Sequence, residues 1–156
     1  MATSPEARLK ELGITLPTAG KPMAKYKMAV RVGNLVYLSG HGPVKVTPDT
    51  PVTGRCGQDL TLEQGKLSAR AVGLNLLATL RDQLGSLDKV KRLVKTLGLV
   101  NSTNDFLDHP KVINGYSELM ADVFGEDKGV GARSAIGTNA LPGNIAVEIE
   151  AIFEVE

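Results

Sequence analysis

Residues 145–155, IAVEIEAIFEV, alternate with a period of two. Val147, Ile149, Ala151, Phe153 and Val155 point one way, and Glu148, Glu150, Ile152 and Glu154 point the other. A helix cannot satisfy that period, so the stretch is a strand. One face of its sheet must lie under an apolar layer. The other face carries carboxylates, and it is either solvated or buried against other subunits.

The covering layer must come from two helical patterns. Thr61 with Gln64 three residues on forms a capping box, and Leu67, Val72, Leu74, Leu77, Leu80 and Leu84 give a broad stripe that Gly85 can end. Gly65 and Gly73 inside that helix predict close approach to a sheet. Asp108-His109-Pro110 starts a second helix that runs to Phe124, with Gly125 after it. Its apolar side is Val112, Ile113, Tyr116, Leu119, Met120 and Val123.

Strand patterns occupy the rest. MAVRV and LVYLSG flank a Gly33-Asn34 turn and read as a hairpin. VKRLVKTLGLVNS, from Val90 to Ser102, and ARSAIGT, from Ala132 to Thr138, are further strands. The order β-β-α-β-α-β-β predicts an α+β fold, one sheet with two main helices on one face. Ser4-Pro5 starts a short helix that ends at Gly13, so residues 1–22 read as an N-terminal extension to a single domain over 23–156. Between Gly42 and Asp59 the abundance of Pro, Gly and Thr predicts a long loop with at most a small excursion of strand.

Hydrophobic residues make up 42% of the 156, enough for a core, but aromatics are 4% and Trp is absent. That core must be aliphatic. A net charge of +1 gives no electrostatic reason to expect nucleic acid or membrane as a partner. Lys89, Lys91, Arg92 and Lys95 cluster, but Asp82 and Asp88 accompany them, as on a solvated face. Cys56 is the single cysteine, so no intrachain disulfide forms. No signal-like or membrane-spanning apolar run is present, which predicts a cytoplasmic protein. Metal-ligand spacings, phosphate-cradling loops and nucleophile elbows are absent as well.

Several segments carry a family resemblance: Tyr26 followed by AVRVGNLVYLSG, then LVNSTNDF, VINGYSELMADVFG, and ARSAIGTNALPGNIAVEIEAI. Over about residues 22–155 the chain resembles the Rid (reactive intermediate deaminase) family, also called YjgF-like and earlier the L-PSP endoribonuclease family. The segment RLKELGITLP resembles its longer-chain branch. The resemblance implies a chorismate-mutase-like fold and a homotrimer, with the helix-free sheet faces packed into a central barrel and sites between subunits. It implies hydrolysis of enamines and imines to 2-keto acids and ammonia, without metal or cofactor. Arg133 then matches the arginine that holds the substrate carboxylate, and Glu148 the glutamate that positions water. Ser39 matches a pocket hydroxyl, Tyr26 a tyrosine that closes the pocket from the adjacent subunit, and Asn114 an asparagine at the rim. Ala135 stands where the family commonly has cysteine; its backbone N–H can still serve, and a thiol role is excluded. His41 replaces the usual glutamine, and Gly143 the usual lysine.

Each residue also has a structural reading. Arg133 could pair with Glu148 or Glu150, and an inward carboxylate such as Glu148 needs a partner or a raised pKa. Ser39 could satisfy a turn, Tyr26 could wall a pocket with nothing turned over, and Asn114 could be a surface amide. His41 reads as a loop hydrogen bond, His109 as a helix-start residue, and Cys56 as an unactivated thiol. Three functions compete: a deaminase, a non-catalytic binder of keto acids on the same scaffold, and, with least support, a ribonuclease. Few aromatics are available to stack on RNA.

Overall fold

The computed structural model describes residues 3–156. Helix α1 (Pro5–Glu11) is followed by the hairpin β1 (Ala29–Val32) and β2 (Leu35–His41). Then come α2 (Leu62–Leu84), β3 (Val90–Asn101), α3 (His109–Phe124), a short α4 (Glu126–Gly129), β4 (Ala132–Thr138) and β5 (Val147–Val155). The sheet order is β1-β2-β5-β3-β4, with β3 and β4 parallel and the other neighbours antiparallel. β5 therefore lies at the centre, which explains why its pattern is so strict.

The expected alternation holds: Val147, Ile149, Ala151, Phe153 and Val155 are all buried, under α2 and α3. The α2 capping box forms, with the Thr61 side chain accepting from Gln64 N and Gln64 Oε1 accepting from Thr61 N, and Gly85 ends the helix in the left-handed region at φ 80°. α3 buries all six residues of its expected face. Tyr116 is wholly buried, and its phenol takes a hydrogen bond from Thr96 Oγ1 at 3.3 Å.

Two expectations about α2 are corrected. Leu67 is exposed, because the buried positions at the start of the helix are Gly65, Ser68 and Ala69. Gly65 and Gly73 approach α3 and the 42–59 loop rather than the sheet. A Cβ on Gly73 would lie 2.8 Å from Leu119, and one on Gly65 would lie 2.9 Å from Cys56 Sγ and 3.1 Å from Val112. Gly115 of α3 completes this seam, where a Cβ would fall on the Lys66 carbonyl oxygen. The helices pack on each other closely because glycine on both sides permits it.

The long loop is tied down by backbone bonds. Ala146 N donates to Val52 O and Cys56 N to Asn101 O, both at 2.9 Å. α4 had no expectation in the sequence; its four residues are too few for a periodic signal. α1 packs against α3 and buries Leu9 in the common core.

Candidate functional site

β4 is an edge strand, and it puts Arg133, Ala135 and Gly137 on the helix-facing side. Arg133 stands beside buried Thr96, and its exposed guanidinium reaches α3. Nη1 donates to Asn114 Oδ1 at 2.9 Å and to Ser117 Oγ at 3.1 Å. Asn114 and Ser117 are three residues apart on one helix and so share a face. Both acceptors are neutral, and they use both Nη1 hydrogens. Nε and Nη2 remain as a parallel pair of donors, the geometry that grips a carboxylate. Neither Glu148 nor Glu150 pairs with Arg133; among the described residues it takes part in no ion pair.

Glu148 lies on the opposite face of the sheet. It alternates with buried Val147 and Ile149 and stands beside Leu99 of β3. Its carboxylate packs over Gly40 so closely that any Cβ there would collide with Oε1. Partial burial pushes its pKa up, and the neighbouring charge of Glu150 pushes it further the same way.

Ser39 sits beside Gly40. Its hydroxyl donates to Lys27 O at 2.6 Å, and its N–H donates to Met28 O at 3.0 Å. Tyr26 is exposed just upstream, with its hydroxyl accepting from Met23 N at 3.4 Å. The residues named from the sequence therefore form two groups. Arg133, Asn114 and Ala135 gather at the β4 edge, and Ser39 and Glu148 gather at the end of β2, with Tyr26 nearby. On the open face a groove of about 430 Å³ runs between Tyr37, Ser39, Lys95, Ser134, Glu150 and Ile152.

Three residues escaped the sequence reading. Ser117 had a signal, its helical spacing from Asn114. Gly40 and Thr79 had none, because their partners are remote in sequence. His41 is buried, with Nδ1 2.6 Å from Ser39 O and Nε2 2.9 Å from Thr79 Oγ1. His109 meets Ser102 Oγ at 3.0 Å and packs against Gly137. Burial pushes the Cys56 thiol up, away from thiolate character.

Comparison with known proteins agrees with this architecture. A family model described as "YjgF/chorismate_mutase-like, putative endoribonuclease" matches residues 6–152. The chain is 40% identical over 149 residues to Protein TCP17 of Trypanosoma cruzi, covering 96% of this chain and 92% of that one. It is 32% identical over 143 residues to a 2-iminobutanoate/2-iminopropanoate deaminase of Dermatophagoides farinae, covering 92% and 95%. A crystal structure of a protein of unknown function from Agrobacterium tumefaciens superposes with a TM-score of 0.87 at 41% identity, covering 97% of this chain and 92% of that chain. With the sheet order, the two covering helices and a match over nearly the whole length, the chain belongs to the YjgF/chorismate mutase-like family.

Proposed function

We propose that the protein hydrolyses reactive 2-imino acids to 2-keto acids and ammonia. One observation carries the reading: Arg133 is exposed, oriented by two neutral acceptors, and left with an unpaired Nε/Nη2 edge. Nη1 is thus held by uncharged groups while the edge that can grip a carboxylate in two parallel hydrogen bonds stays open. The similarity to a protein named as an imine deaminase supports the same reading.

In this reading Arg133 holds the substrate carboxylate, assisted by the Ala135 backbone N–H, and so fixes the adjacent C=N carbon. Glu148 orients a water and accepts its proton as the oxygen adds to that carbon. The electron pair of the C=N bond moves to nitrogen, and Glu148 passes the water proton to that nitrogen, giving a tetrahedral amino alcohol. Glu148 then takes the hydroxyl proton as the C=O bond forms and hands it to the nitrogen, which leaves as ammonia with the C–N bonding pair. A carboxylate whose pKa is raised is a stronger base for the first step. No cofactor enters these steps.

Arg133 and Glu148 face opposite sides of one sheet, so a small substrate can meet both only where two copies adjoin. We infer a homotrimer in which the open, carboxylate-bearing faces pack together and each site takes Arg133 and Asn114 from one copy and Glu148, Ser39 and Tyr26 from the next. Exposed Val30, Val32, Tyr37 and Ile136 on or beside that face favour its burial.

The test is ammonia and keto-acid release from 2-iminopropanoate made in situ by an amino-acid oxidase, with spontaneous decay subtracted. Wild type should accelerate release and Arg133→Ala should not. A second reading is a keto-acid binder without turnover; Ala135 in place of a thiol and the committed Ser39 hydroxyl hydrogen favour it. Keto-acid binding with no acceleration of imine decay would select it. The family description also includes endoribonuclease, but the two histidines lie at separate places, His41 against α2 and His109 against Gly137, and form no acid–base pair.

A further inference from the structure

The strand β2 does not pair regularly with β5. Leu38 stands opposite Ala151, but His41 stands opposite Ile149, so Ser39 and Gly40 share the single partner Glu150. This is a β-bulge. Without the extra residue His41 would point to the open face. With it, the imidazole turns inward and is 2% exposed.

The ring is pinned at both nitrogens. The Ser39 carbonyl at 2.6 Å can only accept, so Nδ1 carries the hydrogen. Nε2 is then bare and accepts the Thr79 hydroxyl at 2.9 Å. Thr79 belongs to α2 and is itself 2% exposed. The bond therefore ties the rigid helix to the irregular point of the strand. The backbone between, at Gly40, is where the Glu148 carboxylate is seated.

We propose that His41 is a positioning residue: pinned between Ser39 and Thr79, it locks the bulge whose Gly40 backbone seats Glu148. It touches no substrate. The proposal rests on the reading of Glu148 as the water-orienting carboxylate. A regular strand would place a side chain or a shifted backbone against Glu148 and move its carboxylate.

Thr79→Val keeps the side-chain shape and removes only the hydroxyl that holds Nε2. Two readouts separate the outcomes. The first is the titration midpoint of the Glu148 carboxyl carbon by ¹³C NMR, which needs no turnover. It should move toward the ordinary glutamate value in Thr79→Val and in His41→Leu. The second is steady-state imine hydrolysis: kcat should fall roughly ten- to a hundredfold in the same variants with KM within about twofold, because the Arg133 anchor is untouched. His41→Gln, which can donate to Ser39 and accept from Thr79, should keep both readouts near wild type. An unchanged Glu148 midpoint in Thr79→Val overturns the proposal, as does a loss in His41→Gln equal to that in His41→Leu. If wild type hydrolyses no imine, the functional reading fails while the NMR readout still decides the role of His41.

Discussion

Arg133 and Glu148 lie on opposite faces of the same sheet, one held by α3 and the other seated on Gly40. Two strands, β3 and β5, run between the edge that carries Arg133 and the bulge beneath Glu148. On the proposed reading, a small substrate meets both only where two copies adjoin. The relationship turns the site into a statement about assembly.

That statement is open to complementation. Arg133→Ala and Glu148→Gln should each be inactive alone. Unfolded together in equal amounts and refolded, they should recover roughly a quarter of the wild-type sites, the fraction expected from random mixing in a ring. No recovery, from mixed oligomers confirmed by mass spectrometry, would mean that both residues serve the site from one chain.

The neutrality of the Arg133 clamp should decide carboxylate affinity. Asn114→Asp puts a negative charge on Nη1 and competes with the ligand. Pyruvate affinity, measured by calorimetry, should drop about tenfold or more, while Asn114→Ser should lose only a fewfold. In the wild type the Arg133 Nε–H resonance should shift on pyruvate binding, because that edge is the free one.

The raised pKa of Glu148 has a definite sign in stability. The folded carboxyl holds its proton to higher pH than the unfolded one, so the folded state binds more protons in the window just above the ordinary glutamate pKa. Glu148 thus costs stability as pH rises through that window and costs nothing below it. Glu148→Gln should raise Tm at pH 7 and leave it unchanged at pH 4. Glu150→Gln should lower the Glu148 pKa, but only in part, since burial is the larger cause.

The helix seam should be intolerant of a single methyl. A Cβ at Gly115 falls on the Lys66 carbonyl, which is backbone and cannot swing aside. Gly115→Ala should therefore destabilise the protein by about 3 kcal/mol despite its better helix propensity, as read by urea denaturation. An unchanged midpoint would show that α2 and α3 can separate without cost.

Residue patterns alone determined a good deal of this protein. The strict alternation in β5 identified a strand with one covered face, the capping box and Gly85 bounded α2, and Asp108 to Gly125 bounded α3. These signals are legible because each depends on neighbours within a few residues. Ser117 was within reach for the same reason, lying three positions from Asn114. The contacts of Gly65, Gly73 and Gly115 were not: glycine announces a close approach but not the element that approaches. Only the tertiary structure decided that β4 is an edge strand, that Arg133 is clamped through Nη1 alone, and that a bulge turns His41 onto Thr79. Each depends on groups far apart in the chain, and their partners are chosen by how the layers pack rather than by any local period.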